Sequence, residues 1–90
     1  MINSEDVKQK YHEVIDSVTT ERDELKVKMH LARMEVQDEW TIVEDKWQHF
    51  KSKSAQLEHV ASDSAQEIGE AISILGAELK ESYKRFKKVL

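Results

Sequence analysis

Residues 25–50, LKVKMHLARMEVQDEWTIVEDKWQHF, decide how this chain folds. Leu25, Met29, Ala32, Val36, Trp40, Val43, Trp47 and Phe50 recur at three- and four-residue intervals, the spacing of one face of an α-helix. The same rhythm runs back through Val18, Val14, Tyr11 and Val7. It runs forward through Leu57, Ala61, Ala65, Ile68, Ile72, Leu75, Leu79, Tyr83, Phe86 and Leu90. Counting Ser54 and one violated position, Arg22, 23 steps cover the 83 residues from Val7 to Leu90, or 3.61 residues per step. That is the period of a straight α-helix rather than the about 3.5 of a strict heptad seam. No stretch alternates with period two long enough to make a strand. The chain is predicted to be all-α.

Composition agrees. The 90 residues include two Gly, no Pro and no Cys, and 36% are charged. A disulfide scaffold or thiolate zinc site needs cysteine. A small β-sandwich or barrel needs regular turn punctuation, and a glycine-loop phosphate binder needs glycines. The start, MINSEDVKQKYHEV, has early acids and no apolar run, so no secretory signal is read there. Ile68–Leu79 is interrupted by Glu70 and Glu78 and falls far short of the ~20 apolar residues of a membrane span. A cytoplasmic location is predicted.

Helix boundaries rest on capping residues. Asn3 and Ser4 before Glu5 and Asp6 predict an N-terminal cap. Thr19 and Thr20 coincide with the violation at Arg22, and Thr20-x-x-Asp23 has the form of a capping box, as has Ser64-x-x-Glu67. These signals predict a single domain, 1–90, with helices at about 4–18, 21–60 and 64–88. The picture is a long helical hairpin preceded by a short helix or kinked extension, with residues 19–20 left open as a turn, a kink or continuous helix.

The predicted middle helix carries a second apolar face. At 100° per residue, Val27, Leu31, Met34 and Ile42 gather nearly opposite the Leu25–Phe50 stripe. Neither neighbour, folded back at 19–20 or near 63, covers both faces over residues 25–43. A second copy of the chain would. The prediction is a homodimeric helical bundle or coiled coil whose interface draws on Leu25, Val27, Met29, Leu31, Ala32, Met34, Val36, Trp40, Ile42, Val43, Trp47 and Phe50.

Trp40, Trp47 and Phe50 are three of the six aromatic residues and form a packed waist, with Tyr83 and Phe86 in the same layer and polar tips toward solvent. Gly69 and Gly76 flank the stripe, and helical glycine costs about 1 kcal/mol relative to Ala. They mark either a close helix approach or slack.

Chemistry is not evident. The bundle metal motif Glu-x-x-His is missing at His12, His30, His49 and His59. The pairs His12/Asp16 and Asp45/His49 lie on polar faces. No serine sits in a nucleophile elbow, and paired carboxylates need a pocket that separates their pKa values. No catalytic residue, metal or cofactor is assigned, and the chain is read as a non-enzyme. Its net charge is −4. The late bases Lys80, Lys84, Arg85, Lys87 and Lys88 complement a helix C-terminus rather than mark a nucleic-acid binder, which is typically basic overall.

The segments ERDELKVKMHLARMEVQDEW (21–40) and GEAISILGAELKESYKRFKKVL (69–90) resemble small, hydrophilic, all-helical bacterial proteins labelled coiled-coil or apolipoprotein-like. The resemblance implies a helical hairpin and carries no activity with it. Two readings of function follow: a self-associating bundle that scaffolds a protein partner, and a membrane-surface protein acting through helix 64–88. Glu67, Glu70 and Glu78 on the first half of that helix favour the bundle, because lipid-surface helices carry bases along their whole polar face.

Overall fold

A stripe of helical period can be buried by one chain only where the chain doubles back on it. The computed structural model describes residues 4–90, with side chains from Lys8 onward apart from that of Ser62. The predicted cap at Asn3 and the Val7 side chain lie outside the described residues. The fold is all-α, with three helices of similar length: α1 Ser4–Met29, α2 Met34–Leu57 and α3 Ser62–Val89. They form a bundle 49 Å long and 17 Å across. α3 packs most extensively on α1 and then on α2, while α1 and α2 share the thinnest contact.

The turns differ from those predicted. α1 runs through Thr19–Thr20 without a break, because the Thr19 hydroxyl donates to the Ile15 carbonyl (2.7 Å) within the helix instead of capping a new one. The reversal comes at 30–33, inside the predicted helix 21–60. Leu31 and Ala32 donate to the carbonyls of Lys28 and Met29, three residues back (both 3.1 Å), tightening the last turn. Arg33 is extended at φ −62°, ψ 153°. The Gln37 side-chain amide then donates to the Met29 and Ala32 carbonyls (3.2 and 3.1 Å), a further bond for Met29 and a partner for Ala32 in the turn. No described residue has a positive φ outside glycine, so the turn needs neither Gly nor Pro.

The second reversal falls close to its predicted place. Ala61, extended at ψ 164°, precedes α3 with no side-chain cap bond, so the Ser64 box is unused. α1 closes over this turn instead. Lys8 Nζ donates to the Glu58 carbonyl (3.3 Å) and His12 Nε2 meets Glu58 Oε1 (2.5 Å). His12 thus pairs across helices rather than with Asp16.

The core is the stripe folded on itself. Tyr11, Val18, Leu25 and Met29 of α1 meet Trp40, Val43, Trp47, Phe50 and Leu57 of α2 and Ala65, Ile72, Leu79, Tyr83 and Phe86 of α3. Trp40 is tilted against Tyr83 (centroids 5.7 Å) and edge-on to Phe86 (5.4 Å). Gly69 admits the Tyr11 ring: a Cβ there would stand 2.0 Å from Tyr11 Cε2. At Gly76 the nearest atom, Val14 Cγ1, would be 3.0 Å away. Both glycines therefore mark close approach of α1 to α3.

Arg22, the violation of the stripe, is the charged member of this core. Its Nε and Nη2 donate to the two oxygens of Glu44 (2.9 and 2.7 Å), a bidentate fork. The guanidinium lies 4.9 Å from the Trp47 ring centroid. The hydrogen bonds that Arg22 donates to the Glu44 carboxylate hold its pKa above the ordinary value.

Two stability predictions follow from these contacts. Gly69→Ala destabilises by about 1–3 kcal/mol, since the buried Tyr11 ring must move. Gly76→Ala stays near neutral, the helical gain of about 1 kcal/mol offsetting a small shift of Val14. Urea titration of both variants separates the two sites. Glu44→Gln costs about 1–3 kcal/mol by leaving a poorly solvated guanidinium half paired, its side chain being 14% exposed. The Arg22→Met, Glu44→Leu pair recovers most of that loss; a double variant weaker than Glu44→Gln would contradict this account.

Candidate functional site

Two places combine features that fold stability alone does not require. The first is a buried polar cluster where the three helices meet. Tyr83 from α3 is fully buried beside the Arg22–Glu44 pair, and its hydroxyl has no hydrogen-bond partner. It does not reach solvent, contrary to the sequence expectation for that layer. Burial first, and then the nearby Glu44 carboxylate, push its phenol well above the ordinary value of 10. Glu21 joins from α1: Oε1 accepts from Lys87 Nζ (3.3 Å), while Oε2 is buried without a partner. The cluster joins all three helices, Arg22 and Glu21 from α1, Glu44 from α2, and Tyr83 and Lys87 from α3.

The second place is one end of the bundle. α1 finishes there, α2 begins there, and α3, antiparallel to α2, finishes there. Trp40 meeting Phe86, and Lys87 meeting Glu21, fix this arrangement. Seven large apolar side chains are exposed among the described residues. Six belong to this end: Val27 (72%), Leu31 (95%), Met34 (77%), Ile42 (66%), Val89 and Leu90. The seventh, Ile74, stands mid-way along α3.

A groove of about 540 Å³ opens here between α2 and α3. Ile42 and Val43 on the α2 bank face Phe86 and Val89 on the α3 bank. Glu39 edges the α2 side, and Arg85 and Lys88 edge the α3 side. Ser82, at 3% exposure, lies in the groove and accepts from Arg85 Nη2 (3.3 Å). The α3 rim continues into a shallower basic recess formed by Glu81, Lys84, Arg85 and Lys88.

The twelve positions predicted to face a partner divide accordingly. Leu25, Met29, Trp40, Val43, Trp47 and Phe50 are buried by the chain's own helices, and Ala32 and Val36 are partly buried against them. The reason is the reversal at 30–33: α2 and α3 cover the face that a continuous helix 21–60 would have left open. Val27, Leu31, Met34 and Ile42 remain exposed, spread over two helices and a turn instead of lining one helix. Glu39, Arg85, Lys88 and Val89 were not singled out from sequence as a surface. Opposite charges forty-six residues apart announce no shared groove until the α2–α3 pairing is known.

Among the described residues, no group of three or more His, Asp or Glu side chains is placed to hold a metal ion. None of their helices is long and apolar enough to cross a membrane.

The raised Tyr83 pKa makes a pH prediction. A phenol with a higher pKa folded than unfolded contributes stability that is complete below about pH 10 and is lost as pH rises further. Tyr83→Phe removes both this titration and an unpartnered buried hydroxyl, whose burial costs about 1–3 kcal/mol. The variant melts no lower than the parent at neutral pH, and its stability falls less steeply above pH 10. Thermal melts across alkaline pH check both statements.

No protein-family model, curated protein or solved structure matches the chain.

Proposed function

We infer that the chain is a non-enzymatic structural module, a self-associating helical bundle that scaffolds a further protein. The observation that carries this reading is the gathering of six exposed large apolar side chains at one end of a bundle whose own core is closed. Singly scattered exposed apolar residues are ordinary on soluble proteins, whereas their concentration at one end, with Ile42 and Val89 on one groove, favours association. The surface groove supports the same reading. It offers an apolar floor with charged rims and contains no histidine.

The lipid-surface alternative acts through residues 64–88, and its cost can be bounded. Ile72, Leu79 and Tyr83 are fully buried and Phe86 nearly so. Each such side chain is worth about 1.5–3 kcal/mol when buried. Lipid would bury these four again, but the α1 and α2 core they leave, including Trp40, Trp47 and Phe50, would lose its cover at a cost on the scale of the whole stability of a small domain, roughly 5–15 kcal/mol. Placing α3 on a membrane therefore amounts to unfolding the bundle, and the association reading is preferred.

Light scattering at micromolar concentration is the test. The expected species has twice the 10.5 kDa chain mass, and a mass of one chain up to high-micromolar concentration overturns the reading. Co-sedimentation with anionic liposomes at physiological salt, with α3 helical but the bundle melted, would establish the lipid alternative instead.

A further inference from the structure

Building on the self-association reading, we propose that the second copy docks along the α2–α3 groove, related to the first by a two-fold axis parallel to the bundle. The proposal rests on how the groove's two banks differ. The α2 bank carries Glu39 beside the exposed Ile42. The α3 bank carries Arg85 and Lys88 beside the exposed Val89. A two-fold axis parallel to the helices exchanges the banks while keeping the two ends level. It lays each copy's Glu39 against the partner's Arg85 and Lys88, and lines the shared groove with the Ile42 and Val89 of both copies. The groove is thus complementary to itself, as a closed two-fold interface requires.

This geometry selects a second copy over a foreign helix. A foreign helix would need bases along one edge, acids along the other, and an apolar line between them in the matching order. The chain already presents that pattern. An antiparallel pairing is also charge-compatible, because Glu67, Glu70 and Glu78 precede the bases on α3. It would carry each copy's Ile42 and Val89 away from the other's and leave the apolar end uncovered, so the parallel arrangement accounts for more of the surface.

Area is sufficient only if the contact runs along the side of the bundle. A stable interface covers about 800 Å² per partner, a value on the scale of one long side of a molecule 49 Å by 17 Å. Ile74 extends the apolar surface in that direction. It lies eleven residues before Arg85 on α3, about three helical turns and therefore on the same side.

The test uses charge exchange between copies. Glu39→Lys alone gives two base-against-base contacts per dimer, and Arg85→Glu alone gives two acid-against-acid contacts. Each is expected to weaken self-association at least tenfold. Mixed in equal amounts, the two variants restore both opposite-charge contacts, so a mixed dimer forms with close to parent affinity. Light scattering and native mass spectrometry read the result. A control pair, Glu13→Lys and Lys51→Glu, leaves dimerisation unchanged.

Circular dichroism verifies folding. If either charge variant fails to fold, Ile42→Ser with Val89→Ser takes its place and must weaken the dimer by the same tenfold. A parent that is one chain at every concentration overturns both this proposal and the self-association reading. A parent dimer whose variants are unweakened, or whose mixture shows no recovery, overturns the groove alone and leaves self-association standing.

Discussion

The bundle depends on the chain reversal at 30–33, where Leu31 and Ala32 donate back to Lys28 and Met29. Gln37 reaches back from the first turn of α2 to the carbonyls of Met29, the last residue of α1, and of Ala32 in the turn. Without this turn, α1 and α2 would continue as a rod more than fifty residues long, and α3 could cover only its nearer half. With it, Leu25 and Met29 join the same core as Trp40, Val43 and Trp47. The second reversal, at 58–61, lays α3 antiparallel on α2 and brings the start of α2 beside the end of α3, so the core and the groove depend on different turns.

The thin contact between α1 and α2 explains the Arg22–Glu44 pair. Few apolar side chains tie these helices directly, so their alignment needs a contact with direction. A bidentate fork over an indole face supplies direction where dispersion cannot. Its desolvation cost is real, and the unpartnered Tyr83 hydroxyl beside it adds to that cost. The arrangement trades some stability for a defined register between α1 and α2, and the polar cluster is therefore read as a fold-specifying element.

How much of this was legible in the sequence depends on whether a signal is local. The period of 3.61 gave the helical class and the composition of the core directly, because burial follows angular position along one helix. The second turn was legible near residue 63 from the polar run Ser62-Asp63-Ser64, which opens α3 instead of preceding it, so the reversal falls slightly earlier, at 58–61. The turn at 30–33 was not, since His30, Leu31, Ala32 and Arg33 are ordinary helix residues and the side chain that bonds back across the turn is a glutamine four to seven residues further on. Thr19 and Thr20 misled for the converse reason. A hydroxyl that can cap a helix can equally bond back within one, and only the neighbouring packing decides between the two. Arg22 stood out as a violation of the stripe, but its partner is twenty-two residues away. The exposed face over Val27, Leu31, Met34 and Ile42 was identified from angles that assumed a continuous helix. The side chains are exposed as the angles implied, yet they surround one end of the bundle instead of lining one helix.

That rearrangement changes what the exposed surface can contribute. A stripe along a long helix would bury enough apolar area to hold two copies together without charge. Four positions divided between two helices and a turn cannot, and the surface must recruit Val89 and the charged rims of the groove. Exposed ion pairs contribute only about 0–1 kcal/mol each, so they add little affinity, but they discriminate strongly between orientations because like charges in apposition are costly. In the proposed dimer, Ile42, Val89 and Ile74 would supply the attraction, while Glu39, Arg85 and Lys88 would select the arrangement of the two copies.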